Sequence, residues 1–209
     1  MKFNFYFRKS SFKKDLSSAR LLLSEIEKYK PINFLEVGVF QGVTSRNVCE
    51  MLNKIHKNNF KFVGIDFFED RNLDLDNKEM TAKHNKLSNP IKHFIFNLIL
   101  KKDLNSLKSV KGLLNKFAPC VELLRGSSDK QLLKVDLQKI DFVFLDGGHS
   151  YETVSNDLKI LISQIKKNKI IICDDYDQVK YGVKKAVDEL KGKVSEIISL
   201  NDRLVKIIV

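Results

Sequence analysis

The stretch Ile140-Asp141-Phe142-Val143-Phe144-Leu145-Asp146-Gly147-Gly148-His149-Ser150-Tyr151 decides how the chain folds. Four consecutive apolar residues, 142–145, give no alternation between a wet and a dry face, which is the pattern of a strand covered by helices on both sides. Asp146 ends the run, two glycines permit a sharp turn, and Ser150 opens a segment with helical spacing of apolar residues. Ile170-Ile171-Ile172-Cys173 repeats the continuously apolar pattern and ends in Asp174-Asp175-Tyr176. Both runs are expected to be central strands of a parallel sheet.

Working outward, further strands are expected at residues 34–39, 61–65 and 121–124, and the run at 140–145 belongs with them. Helices are expected at 15–30, with Asp15 as N-cap, and at 44–56, 129–135, 150–165 and 179–190. Strand followed by helix, repeated, implies an α/β fold with a doubly wound, mostly parallel sheet. Residues 194–200 and 203–209 read as two strands joined at Asn201-Asp202, an antiparallel C-terminal pair. No linker, repeat or low-complexity tract divides the 209 residues, so a single domain, 1–209, is expected. Within it, 1–30 forms an N-terminal helical segment and 70–118, which contains Pro90 but no strand signal, a helical insertion or lid over a cleft.

The composition narrows the function. The longest apolar run, 93–100, is far shorter than the roughly 18 residues of a membrane span, and the N-terminal residues do not form a signal-peptide core, so a cytoplasmic location without membrane partners is expected. Cys49, Cys120 and Cys173 are odd in number and wrongly spaced for zinc, which suits reduced thiols. The net charge of +11 comes from dispersed lysine doublets rather than a basic stripe interleaved with aromatics, which argues for a solvated surface over nucleic-acid binding.

Two loops carry chemistry. Glu36-Val37-Gly38-Val39-Phe40-Gln41-Gly42 leads directly into a helix start at Val43-Thr44-Ser45. Glycines bring backbone close to a ligand and a helix N-terminus offers free N–H groups, so a nucleotide-like guest is expected; a merely tight turn is the alternative. Phe40 stands where the second glycine of a dinucleotide loop would be, which disfavours a nicotinamide oxidoreductase. Asp66, at the end of the second strand, suits a ribose diol or a helix cap. If the strands ending at 145 and 173 are neighbours, Asp146, Asp174 and Asp175 converge within about 5 Å. Three oxygen donors suit a hard cation such as Mg²⁺; the alternative has them capping helices and holding backbone amides. His149 lies beside Asp146.

Glu36-x-Gly-x-x-x-Gly42, Asp66, the run DGGHSYETVSNDL at 146–158, and DDY at 174–176 followed by Gly182-Val183-Lys184-Lys185-Ala186-Val187 together resemble the class I S-adenosylmethionine-dependent methyltransferases. Within them the pattern is similar to the "methyltransferase 24" family and the metal-dependent sugar O-methyltransferases, over about residues 31–200. The resemblance implies a Rossmann-like, seven-stranded sheet with S-adenosylmethionine across the ends of strands one, two and four. It implies cofactor contacts from Glu36, Gly38, Gly42, Thr44, Asp66, Asp146 and the pair Ser127-Ser128, the latter near adenine. It further implies metal ligation by Asp146, Asp174 and Asp175, with His149 as base and Asp146 beside it in catalysis. The Pro-Gly-Gly usual before the fifth strand is replaced here by Lys167-Asn168-Lys169. The expected reaction is metal-assisted methylation of a sugar or other small hydroxylated substrate, with a homo-oligomer as the candidate assembly. An RNA methyltransferase, or an inactive nucleic-acid-binding relative on the same fold, is the rival reading.

Overall fold

The computed structural model describes residues 1–68, 104–177 and 181–209. Seven strands form one sheet: β1 (Asn33–Val37), β2 (Lys61–Asp66), β3 (Val121–Arg125), β4 (Phe142–Leu145), β5 (Ile170–Cys173), β6 (Glu196–Ser199) and β7 (Val205–Ile208). Their spatial order is β3-β2-β1-β4-β5-β7-β6. The first five pair in parallel, and β7 runs antiparallel to both β5 and β6. This is the doubly wound sheet with an antiparallel C-terminal pair that the sequence pattern implied. The order reverses at β1, which has β2 on one side and β4 on the other, so a crevice opens above their C-terminal ends.

Side chains alternate across the central strands and fill two separate cores. Phe34, Phe62, Phe142, Phe144, Ile170 and Ile172 face α1 (Leu16–Tyr29) and α2 (Val43–His56). Phe34 stacks against both Phe62 and Phe142, at 5.9 and 5.2 Å between ring centroids, so an aromatic row locks the parallel register of three strands. On the opposite face Leu35, Val63, Val143, Leu145, Ile171 and Cys173 meet α5 (Tyr151–Gln164) and α6 (Val183–Asp188). Two further helices, α3 (Leu107–Leu114) and α4 (Ser128–Leu132), complete the α-helices among the described residues.

The helix ends follow local chemistry. Asp15 caps α1 by accepting the Ser18 N–H at 3.1 Å, and Ser150 caps α5 by accepting from Thr153 at 3.2 Å. Several elements are shorter than their sequence patterns suggest. β1 stops at Val37 because Gly38, at φ +94°, turns the chain out of the sheet. β4 starts at Phe142 rather than at 140, since the Asp141 carboxylate is occupied by the amides of Ile32 and Asn33 and by Lys169 Nζ. The helix expected over 129–135 is the single turn α4, and that expected over 179–190 narrows to α6. Residues 178–180, at the start of the latter, lie outside the described residues, as do 69–103 of the expected insertion at 70–118. The described remainder of that stretch holds α3 and a short 3-10 turn at Asn115–Cys120. Among the described residues no helix is long and apolar enough to cross a membrane.

Candidate active site

At the crevice, the loops after β1 and β4 touch backbone to backbone. A Cβ on Gly38 would fall 2.0 Å from the Asp146 carbonyl oxygen and 2.7 Å from the Gly147 nitrogen, so no other residue fits there. The contact is tied by the Gly38 N–H donating to Ile65 O at 2.9 Å and the Asp146 N–H donating to Val37 O at 2.8 Å. Gly42, at φ +74°, closes the loop on Val39 O and starts α2 without any side-chain cap, leaving the first-turn amides of that helix for another acceptor. Thr44 lies buried in that first turn.

Two carboxylates stand beneath the loop. Glu36 is fully buried; its Oε2 accepts from Ser45 Oγ, and its Oε1 has no partner. Burial, reinforced by the nearby Asp66, pushes its pKa up to about 8. Asp66 accepts the amides of Phe40 and Phe68, both at 2.8 Å, and burial raises its carboxyl as well. Its contacts are therefore to the glycine loop itself, closer to the capping alternative than to an open diol site. Ser127 and Ser128 begin α4 on the same rim, with Ser127 at the N-cap position but making no side-chain cap bond. Gly126 joins that turn to β2 by donating to Asp66 O at 3.0 Å.

The neighbouring ends of β4 and β5 deliver the acids. Asp146, Asp174 and Asp175 each bring a carboxylate oxygen within 4.8 Å of the others. The Asp146 carboxyl is driven well above its usual range, first by burial and then by Asp174 and Asp175. His149 Nδ1 lies 3.6 Å from Asp175 Oδ2, its ring stacks on Tyr181 at 4.5 Å, and its carbonyl accepts the Gly182 N–H at 2.9 Å. Asp146, Asp174 and His149 thus line one depression with Gly147 and Gly148.

The two sites adjoin at Asp146. A family model described as "Methyltransferase domain" matches residues 35–176. The chain belongs to this methyltransferase family. The methyltransferase fold also recurs in solved structures. The O-methyltransferase from Bacillus cereus in complex with SAH superposes with TM-score 0.61 at 12% identity, over 96% of this chain and 84% of that one. The O-methyltransferase TomG from Streptomyces achromogenes, in complex with SAM, gives 0.59 at 14% identity over 92% and 79%. CalS11, a TDP-rhamnose 3'-O-methyltransferase of calicheamicin biosynthesis, gives 0.60 at 15% identity over 94% and 80%. No curated protein matches the chain.

Sequence reasoning missed two arginines of this methyltransferase. Arg203, between β6 and β7, places Nε and Nη2 on the two Asp174 oxygens, each at 2.5 Å. Arg8 donates to the carbonyls of Gln41, Leu104 and Ser109 at 2.9–3.0 Å, strapping the N-terminal segment over the glycine loop. Neither stands in a motif. Their partners are 29 or more residues away in sequence, and only the fold brings them together. The other sequence assignments of lesser weight agree with the structure: Cys173 is buried in the core, where burial raises its thiol pKa, and His56 is a surface residue donating from Nε2 to Lys30 O at 3.0 Å. His84 and His93 lie outside the described residues.

The donor set fits both groups in kind. α2 begins without a side-chain cap beside the loop, and the buried Glu36 Oε1 has no partner within the protein, so the crevice offers polar groups to a ligand. Three hard oxygen donors suit a divalent cation, whose charge would relieve the repulsion that raises Asp146.

Proposed function

We propose that this chain is an S-adenosylmethionine-dependent O-methyltransferase acting on a small hydroxylated substrate, a sugar being the leading candidate, with assistance from a hard divalent cation such as Mg²⁺. One observation carries the reading: Asp146, Asp174, Asp175 and His149 converge on the strand ends directly beside the glycine loop. The solved neighbours support it, since two hold SAH or SAM and one is a sugar O-methyltransferase by its description.

When bound, S-adenosylmethionine supplies an electrophilic methyl group, and the cation a Lewis acid that acidifies a hydroxyl. The chain's own residues then divide the work. Gly38 and Gly42 shape the loop that faces the donor, Glu36 and Asp66 stand beneath it as its polar partners, and Thr44, Ser127 and Ser128 line its rim. Asp146, Asp174 and Asp175 are the carboxylates that would hold the cation. His149 is the base: with Nδ1 directed at Asp175, its other ring nitrogen is the one available for the acceptor's proton. Tyr181 stacks on that imidazole, and the Gly182 amide fixes the His149 backbone by donating to its carbonyl. Aligning acceptor and donor is the larger part of the task, because methyl transfer needs an in-line approach.

The test is transfer from methyl-labelled S-adenosylmethionine to native-host extracts separated into small molecules and RNA, with Mg²⁺ or EDTA. Label in the small-molecule fraction that disappears with EDTA is the expected result. Label confined to RNA would overturn the substrate class, and turnover undiminished by EDTA would remove the cation.

A further inference from the structure

Arg203 presents a cation to the acidic cluster at hydrogen-bond distance, and it is not a loose surface residue. Its side chain is 12% exposed and that of Asp174 is 1% exposed. Four restraints hold it. Nε and Nη2 form a two-pronged bond to Asp174, the guanidinium lies 4.5 Å from the centroid of the Phe12 ring, the Arg203 N–H donates to Asn201 Oδ1 at 3.0 Å, and the Arg203 carbonyl accepts the Tyr176 N–H at 2.9 Å. The last bond ties the β6–β7 turn to the residue immediately after Asp175, so the arginine and the acids move as one unit. Asp174 also accepts the Asp175 N–H at 2.9 Å.

A fixed guanidinium has a direct consequence for a cation. Both Asp174 oxygens are already engaged in short, charge-assisted bonds, although Asp174 lines the depression together with Asp146. Any divalent ion that takes an oxygen of Asp174 must displace an N–H of the fork, and any ion in the cluster must tolerate a positive charge one carboxylate away.

We infer that Arg203 is a resident competitor for the divalent cation: it withholds Asp174 and so sets the affinity of the site, keeping the ion exchangeable. This rests on the reading of Asp146, Asp174 and Asp175 as a cation site. A role confined to building the site would have the opposite sign, since loss of a structural arginine weakens ligand binding.

The experiment is Mn²⁺ binding to the full chain, by calorimetry and by the EPR signal of free Mn²⁺, for the wild type, Arg203→Met, Arg203→Lys and Arg203→Met/Asp174→Asn. Removing one unit charge a few ångströms from the ion is expected to tighten Mn²⁺ binding by about tenfold or more in Arg203→Met. Arg203→Lys, which keeps the charge but loses the fork, is expected to fall between Arg203→Met and the wild type. The double variant is expected to return toward wild-type affinity, because the released Asp174 is then removed. Equal or weaker binding by Arg203→Met, with a cooperative unfolding transition retained, would overturn the role of Arg203 while leaving the cation site standing. No Mn²⁺ binding by any variant would overturn both. If Arg203→Met does not fold, Arg203→Lys decides: binding no tighter than the wild type overturns the inference.

Discussion

Replacing Glu36 by Gln tests the energetics of the cofactor crevice without changing its shape. Glu36 is wholly buried, with one oxygen on Ser45 and the other unpartnered, and its pKa stands at about 8 against an ordinary 4.5. As pH rises from 4.5, the unfolded chain gives up this proton first and then binds fewer protons than the folded one, so stability falls until the folded group also ionises near pH 8. The stabilising contribution is therefore fully present below the ordinary value and lost as pH rises through the folded one. At about 1.4 kcal/mol for each pH unit between the two values, the loss has a ceiling of about 5 kcal/mol. Gln has the same size, stays neutral and keeps an acceptor for Ser45. Urea unfolding of the wild type and Glu36→Gln, followed by circular dichroism between pH 5 and 9, reads the difference directly. Asp146, whose carboxyl is also raised, titrates in both proteins and cancels, whereas Asp66 is coupled to Glu36 and its response belongs to the difference. The two proteins are expected to agree within about 1 kcal/mol at pH 5, with the variant more stable by about 2–5 kcal/mol at pH 9. A gap that does not change with pH would refute the buried, proton-holding Glu36.

Gly38→Ala forces a Cβ to within 2.0 Å of the Asp146 carbonyl oxygen at a φ of +94°, so unfolding free energy is expected to drop by about 3 kcal/mol or more and SAH affinity to fall with it; a urea midpoint like the wild type's would show that the loops can part freely. His149→Ala is expected to lose about two orders of magnitude in turnover while Mn²⁺ affinity and the melting temperature hold, and near-normal turnover would remove it as base. Phe144→Ala empties a fully buried position stacked on Phe12, at a cost of about 3–5 kcal/mol in denaturant unfolding, and a loss under about 1 kcal/mol would mean that this core can collapse around the gap. Asp146→Asn is expected to weaken Mn²⁺ binding at least about tenfold with SAH binding retained; unchanged Mn²⁺ affinity, read by calorimetry, would take Asp146 out of the cation site.

The candidate site was legible wherever function and strand end coincide. Asp146, Asp174 and Asp175 follow directly on continuously apolar runs of the kind expected for central parallel strands, so adjacency of the acids followed from adjacency of the strands. Gly38 was legible as a ligand-approach glycine, yet the structure gives it a second task, the close passage of the Asp146 backbone, which no local pattern records. Asp66 was read toward a ribose diol with a helix cap as the alternative, and its oxygens hold the amides of Phe40 and Phe68. Element ends were the least legible, because capping and side-chain bonds such as those of Asp141 compete with the sheet ladder for the same backbone groups.

The amino-acid pattern by itself determined the alternation of strand and helix, the buried character of β4 and β5, and the identity of the acids and imidazole at their ends. These are properties of neighbouring residues: hydrophobic period, turn glycines and caps act over a few positions. Tertiary structure alone decided that β7 inserts between β5 and β6, and that the turn between the two carries Arg203 onto Asp174. An arginine 29 positions from its partner leaves no periodic trace; the bond exists because two strand ends that are remote along the chain lie side by side in the sheet.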